Sequence, residues 1–277
     1  MQVIEPFQAL VLAILQGLTE FLPISSSAHL VFPSLLLGWP DQGLAFDVAV
    51  HLGTLLAVVW YYRRDLWLIA MAWLQSIVGG PSTADSRMVW YLVFASVPVA
   101  LVGMIGGDYV ESHSRNLPVI ATTTLVFGLL LGFADRHAER TPGDRPLNFF
   151  FAMFIGLAQA LAPIPGVSRS GVTITAALLL NMSRQSAARF SFLLSIPVIA
   201  GAGILKSADL VQSTAPVNWP QMAIAALVSA ATAYLCIAVF LRLLDRVGMM
   251  PFVYYRIVLA LVLFALWPVS YTHLTLP

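Results

Sequence analysis

Charge is scarce in this chain. Its 277 residues include 14 Lys or Arg and 13 Asp or Glu. That is 10% of the residues, where a soluble protein of this size carries about 25%. A water-soluble globular fold is therefore excluded. The formal net charge of +1 is too small to hold a polyanion, so nucleic acid is not an expected partner. Cysteine is nearly absent as well: Cys236 stands alone, no intrachain disulfide can form, and a small buried hydrophobe accounts for it. No P-loop, Rossmann glycine pattern or cysteine metal cluster is present. The amino-terminal apolar run lacks a basic leader and carries polar residues, so it does not read as a cleavable signal.

Hydrophobic residues, 59% of the chain, fall into long runs that predict an all-α integral membrane protein. Phe7–Leu22 is too short for the roughly 20 residues a crossing needs, and Pro23 interrupts it before a second short run, Ala28–Leu37. This pattern predicts a broken re-entrant hairpin over residues 7–37. Leu44–Tyr62, Met88–Ile105 and Pro118–Ala134 are expected to cross. Between the first two, the Trp-bearing stretch Leu66–Val78 lies along the interface. Asp108–Asn116 reads as a polar loop, and residues 135–146 as a polar cytoplasmic linker.

The plan then repeats. A shift of 143 residues lays Gln16 on Gln159, Leu18 on Leu161, Ser25 on Ser168 and Ser27 on Ser170. Leu147–Leu161 and Ser170–Leu180 flank the break Pro163-Ile-Pro165-Gly166, giving a second hairpin over 147–180. Phe190–Leu205, Met222–Leu241 and Phe252–Trp267 supply three more crossings. The first repeat thus covers 1–134 and the second 147–268. Residues 269–277 are a tail, and Ser270–Pro277 fits no helix.

Three crossings per repeat force the second to enter the membrane inverted. Basic residues test this, because they collect on the cytoplasmic side. With the loop after Tyr62 inside, Arg63, Arg64, Arg87, Arg136, Arg140, Arg145, Arg184, Arg189, Arg242, Arg246 and Arg256 fall inside, against Arg115 and Lys206 outside. The first hairpin then dips in from outside and the second from the cytoplasm, tips facing. Inverted repeats with broken helices are one way to build a polar site in a bilayer.

Each break leaves a half-helix start with free N–H groups, which favour anions. Ser25, Ser26 and Ser27 sit at one start, Ser168 and Ser170 at the other, and serines there also serve as ordinary caps. Arg169, inside the membrane, needs an anionic partner: either an ion pair with Glu20 or, the sharper reading, a bound oxyanion. Glu20 and Gln16 share a helix face, and Glu20 suits a metal ligand, a base or an orienter of histidine. His29 lies one turn into the next half-helix. Serine, histidine and carboxylate facing an arginine have the parts for attack on phosphorus. Asp47 and His51 share a face near the outer end of their span, where they either lie at the mouth of the site or, the favoured reading, cap and hydrate the helix.

At these residues the chain resembles the undecaprenyl-diphosphate phosphatase family of the BacA type. The resemblance rests on Gln16-x-x-x-Glu20 leading into Pro23-Ile-Ser25-Ser26, and on Pro165-Gly166-Val-Ser168-Arg169-Ser170-Gly-Val-Thr173. It continues through Phe46–Leu56 and Phe190–Pro197 and covers nearly the whole chain to about Trp267. Gln16 stands where other members carry Glu, so that position has no charge here. The resemblance implies removal of the terminal phosphate from a polyprenyl diphosphate lipid, undecaprenyl diphosphate, in the bacterial plasma membrane, and bacitracin resistance on overproduction. It implies Ser26 as nucleophile, with His29 and Glu20 beside it and Arg169 as phosphate clamp. It also implies a divalent cation, Mg²⁺ or Ca²⁺, expected at Glu20 and Gln16.

The expected scheme has His29 as base and Ser25, Ser27, Gly166, Ser168, Ser170 and Thr173 around the substrate phosphates. The lipid tail lies in a lipid-facing groove between the repeats, among membrane lipids, and the site opens to the outer face. Direct attack by His29 and a metal-bound water remain open routes, and a homodimer is left open. The competing class is an inverted-repeat transporter or flippase for a lipid phosphate or another anion. A purely structural scaffold leaves Arg169 without a purpose.

Overall fold

The computed structural model describes residues 4–114, 116–140, 143–212 and 217–274, and among them every regular element is helical. Arg115 of the expected outside set, Thr141 and Pro142 of the linker, and the last three residues lie outside the described residues. In chain order the helices are α1 (Pro6–Thr19), α2 (Ser26–Leu37), α3 (Gly43–Tyr61), α4 (Arg63–Ile77), α5 (Ala84–Ser114) and α6 (Leu117–Arg140). They continue with α7 (Phe149–Gln159), α8 (Arg169–Leu179), α9 (Arg184–Gln212), α10 (Trp219–Val247) and α11 (Met250–Leu274). Six of these, α3, α5, α6, α9, α10 and α11, are long and apolar enough to cross a membrane. The chain is a multi-pass membrane protein.

Of the five shorter helices, the four that flank the two breaks owe their bounds to local chemistry. α1 begins with Pro6 in its first turn and a reciprocal cap between Glu5 and Gln8. It has 14 residues, about 21 Å at 1.5 Å each, short of a hydrocarbon core of about 30 Å. α2 has 12 residues and closes on Gly38 in the left-handed conformation. α7 starts where Asn148 accepts the Phe151 N–H, and α8, like α7, has 11 residues. Ser25 and Ser168 precede α2 and α8 with φ of 75° and 71°, a region that ordinarily favours glycine.

Three of the sequence expectations need correction. Asp108–Asn116 is not a loop, since α5 continues to Ser114. The linker begins late: its first six residues finish α6, and Asp135 is buried, accepting from Arg184 Nε at 2.6 Å and from the Met249 N–H at 3.1 Å. Residues 270–274 continue α11. In the first two cases polarity stands as the sign of a loop or linker, but charged side chains do not end a helix, and propagation adds a hydrogen bond with every residue fixed. Beyond α6, Asp144 accepts from the Ser183 N–H and the Ser186 hydroxyl, at 2.9 and 2.7 Å. Partial burial acts to raise its pKa, yet these bonds outweigh it and hold the carboxyl below its ordinary value.

Large apolar side chains such as Ile105, Val211 and Leu227 face outward, 84%, 86% and 68% exposed, as a lipid-facing surface requires. Inside, small residues let backbones meet. A Cβ at Gly53 of α3 would lie 2.2 Å from the Ala226 carbonyl oxygen of α10, and one at Gly156 of α7 2.5 Å from the Ala95 oxygen of α5. Ser229 of α10 also donates to the Val50 carbonyl of α3 at 2.9 Å. Gly53→Ala should therefore part α3 from α10 and destabilise the protein by about 1–3 kcal/mol. Thermal unfolding of the detergent-purified variant measures this, and an unchanged midpoint would refute the contact.

Candidate active site

The second half-helix start meets the first break: Ser170, in the first turn of α8, donates to the Leu22 carbonyl at 2.9 Å. α1 ends as the chain turns over Glu20 to Ile24, and this leaves the Glu20 carboxylate buried, 8% exposed, where three groups converge. Arg169 Nη2 donates to Oε1 at 3.0 Å. Gln16 Nε2 and the Ser26 hydroxyl donate to Oε2 at 3.0 and 2.9 Å. Ser26 and Arg169, the first residues of α2 and α8, thus meet on one carboxylate.

The guanidinium is held on two further sides. Arg169 Nη1 donates to the Ser191 carbonyl of α9 at 3.2 Å, and the cation lies 5.7 Å from the Phe21 ring centre. The ion-pair alternative raised for Arg169 is thus the arrangement present. Both side chains are largely buried, so the pair is held by its own hydrogen bonds, and removing one partner would strand a buried charge.

His29 lies close by but turns elsewhere. Its Nδ1 donates to the Ser25 carbonyl at 2.7 Å, since a carbonyl can only accept. In the neutral ring Nε2 is then the acceptor, and Tyr255 of α11 donates its hydroxyl to it at 2.6 Å. The rings of His29 and Tyr255 are stacked, 5.7 Å between centres. Both nitrogens are therefore occupied, and the Ser26 hydroxyl goes to Glu20.

The other residues singled out in the sequence divide by position. Ser25 and Ser27 hydroxyls are 3.2 Å apart, as are those of Ser168 and Ser170. Ser168 also caps α8 by accepting the Gly171 N–H at 3.1 Å. Thr173 is turned onto α9, sharing a hydrogen bond with Ser191 at 2.7 Å. Gly166, with φ of 89°, lies so close to α6 that a Cβ would sit 2.1 Å from the Thr123 hydroxyl oxygen. A cavity of about 100 Å³ opens over Ser26 and Ser27, closed by Leu30, Gln42, Asp47 and His51.

Two parts of this arrangement differ from the favoured sequence reading. Of the two places open to Asp47 and His51, the mouth of the site is the one they take: His51 Nε2 is 3.9 Å from Glu20 Oε2 and it walls the cavity with Asp47. Their four-residue spacing on one face was the available signal. Arg256 was placed among the cytoplasmic arginines, but it is fully buried in α11 and leaves that set. The signal was depth: it lies four residues inside the expected span Phe252–Trp267.

With the two motifs in contact, the comparison with known proteins is specific. The family described as "Bacitracin resistance protein BacA" matches residues 9–262. The chain belongs to the BacA family. It is 58% identical over 265 residues to the undecaprenyl-diphosphatase of Alcanivorax borkumensis, covering 93% of this chain and 97% of that protein. It is 56% identical over 254 residues to the undecaprenyl-diphosphatase of Teredinibacter turnerae, with 92% and 96% covered. To the protein of that name from Colwellia psychrerythraea it is 53% identical over 259 residues, with 91% and 95% covered. The match takes in α2, α3, α8, and the parts of α1 and α11 that carry Gln16 and Tyr255, so the BacA-family relationship includes every residue named here that reaches the Glu20 carboxylate or His29.

Proposed function

We propose that this membrane enzyme hydrolyses undecaprenyl diphosphate to undecaprenyl phosphate and phosphate, returning the lipid carrier to cell-wall synthesis, with Ser26 as nucleophile. The observation that carries the assignment is the Ser26 hydroxyl bonded to a carboxylate that also holds Arg169. Glu20 takes the Ser26 proton as Oγ attacks the distal phosphorus. The bond from that phosphorus to the bridging oxygen breaks, and the lipid monophosphate leaves. Once protonated, Glu20 no longer binds Arg169 as an anion, and the guanidinium is free to bind the oxygens of the transferring phosphate. Water then attacks the phosphoserine, and the proton returns from Glu20 to Ser26. His29 braces the turn through the Ser25 carbonyl, so the expected base role passes to Glu20.

A divalent cation fits one further feature. Gln16 Oε1 is buried with no partner, beside Glu20, and hard cations take oxygen ligands. While Glu20 is ionised, before it takes the Ser26 proton, Glu20 and Gln16 would hold Mg²⁺ or Ca²⁺, which would neutralise charge on the diphosphate. His51 and Asp47 line the entry to Ser26.

The two halves form an inverted repeat with re-entrant hairpins. The 143-residue shift carries the start of α1 onto that of α7, and the start of α2 onto that of α8. It lays Gly38, φ 64°, on Asn181, φ 61°, and the left-handed Ser25 on Ser168. α1 packs on α10 while α7 packs on α5, the exchange a two-fold relation produces. The cavity lies at the Gly43 end of α3, opposite Arg63 and Arg64, which supports a site opening to the outer face of the plasma membrane.

Phosphate release from undecaprenyl diphosphate by detergent-purified protein with Mg²⁺ tests the activity; binding without release would favour a carrier. His29→Asn keeps a donor for the Ser25 carbonyl but no base, and should retain turnover within about tenfold. A loss near 10³-fold would restore the base role to His29.

A further inference from the structure

Arg256 is the largest fully buried side chain, at 0% exposure, and no carboxylate pairs with it among the described residues. Its guanidinium is bound by backbone carbonyls instead. Nε donates to Thr124 at 3.1 Å, Nη1 to Pro23 at 3.2 Å and Val167 at 3.1 Å, and Nη2 to Gly166 at 2.7 Å and Thr123 at 3.5 Å. These acceptors come from the first break, the second break and α6. A buried cation satisfied only by dipoles is expensive, and neighbouring glycines make room for it. A Cβ on Gly128 would meet Arg256 Cβ at 2.9 Å, and one on Gly171 would meet Nη1 at 3.0 Å.

The acceptors are not scattered. Pro23 lies two residues before Ser25, and Val167 immediately before Ser168, the two serines with φ of 75° and 71°. Strained turns of this kind persist only where their surroundings fix them. A planar fork with five donors can grip both turns at once, which a lysine ammonium cannot reproduce. Tyr255, the preceding residue, holds His29 at 2.6 Å, so α11 braces the first break through two successive side chains.

We propose that Arg256 is a positioning residue for hydrolysis: it ties the two breaks together and so sets Ser26 and Arg169 on the same Glu20 carboxylate. This rests on the roles assigned above to Ser26 and Arg169. Arg256 itself touches neither of them, and it acts by fixing where α2 and α8 begin.

The test is steady-state hydrolysis of undecaprenyl diphosphate by purified Arg256→Met and Arg256→Lys. Loosening the breaks should lower kcat by about a hundredfold, the cost of a displacement near 1 Å. KM should stay within about threefold, because the uniform binding of the lipid is untouched. Lysine should not rescue. Unchanged kcat in Arg256→Met, full activity in Arg256→Lys, or a loss confined to KM would each overturn the proposal. Should both variants fail to fold, Gly128→Ala keeps the charge but pushes the arginine stem. It should lower kcat about tenfold, and unchanged kcat there sinks the idea. Wild-type protein in the same assay separates the two levels. Without wild-type turnover the functional reading falls and this proposal with it; with turnover and unaffected variants, only the role of Arg256 falls.

Discussion

Arg169→Ala is expected to reduce kcat/KM by about 10³-fold or more, the range seen when an arginine that stabilises a transferring phosphoryl group is lost. It should also destabilise the protein, because Glu20 would keep its charge in a buried place without the 3.0 Å partner at Oε1. Removing one member of such a pair costs about 3–5 kcal/mol. The two losses can be separated. Arg169→Met combined with Glu20→Gln removes both charges, so the thermal midpoint should recover while hydrolysis stays absent. Arg169→Lys keeps the charge but not the fork that reaches both Glu20 and Ser191, and should remain well below wild type. Appreciable hydrolysis by Arg169→Ala would remove it from the chemistry, whatever its effect on stability.

Ser26→Ala should lower kcat by about 10³-fold or more, as loss of a covalent nucleophile does elsewhere. Unlike Arg169→Ala, it should leave stability nearly unchanged. Ser26 is only partly buried, and its loss takes one donor from Glu20 Oε2 while Gln16 remains at 3.0 Å. Rapid acid quench of wild type should trap phosphate on Ser26, detectable by mass spectrometry of the peptide that contains it. Full activity in Ser26→Ala would remove the covalent step and leave attack by water or by His29.

The parts of the structure legible in the sequence were those written locally. Pro23 and the Pro163-to-Gly166 stretch mark the breaks, because proline and glycine act on their own backbone. The six crossings follow from run length, and Glu20 and Arg169 were conspicuous as charges at depth. What stayed hidden depends on distant partners. His51 reaches Glu20 across helices 31 positions later in the chain, and nothing within α3 records that contact. Tyr255 meets His29 across a separation of 226 residues. Arg256 was misplaced because counting basic residues treats every arginine as a flank of its helix. The late end of α6 was missed for a related reason: Asp135 looks like linker until Arg184, 49 residues on, is found beside it.

The exchanged packing of the two halves bears on how the protein is made. α1 reaches its partner α10 only after Trp219 has been synthesised, and the Pro23 carbonyl finds its donor only at Arg256. Until then the hairpin of α1 and α2, with the Glu20 carboxylate and Ser25, Ser26 and Ser27 at its turn, has no complete set of neighbours in the bilayer. The ribosome has passed nine-tenths of the chain before the site can close. Assembly of the centre is therefore a late, non-local event, slow in the way that long-range contacts are slow. The first hairpin is the part most exposed to mispairing or quality control while it waits.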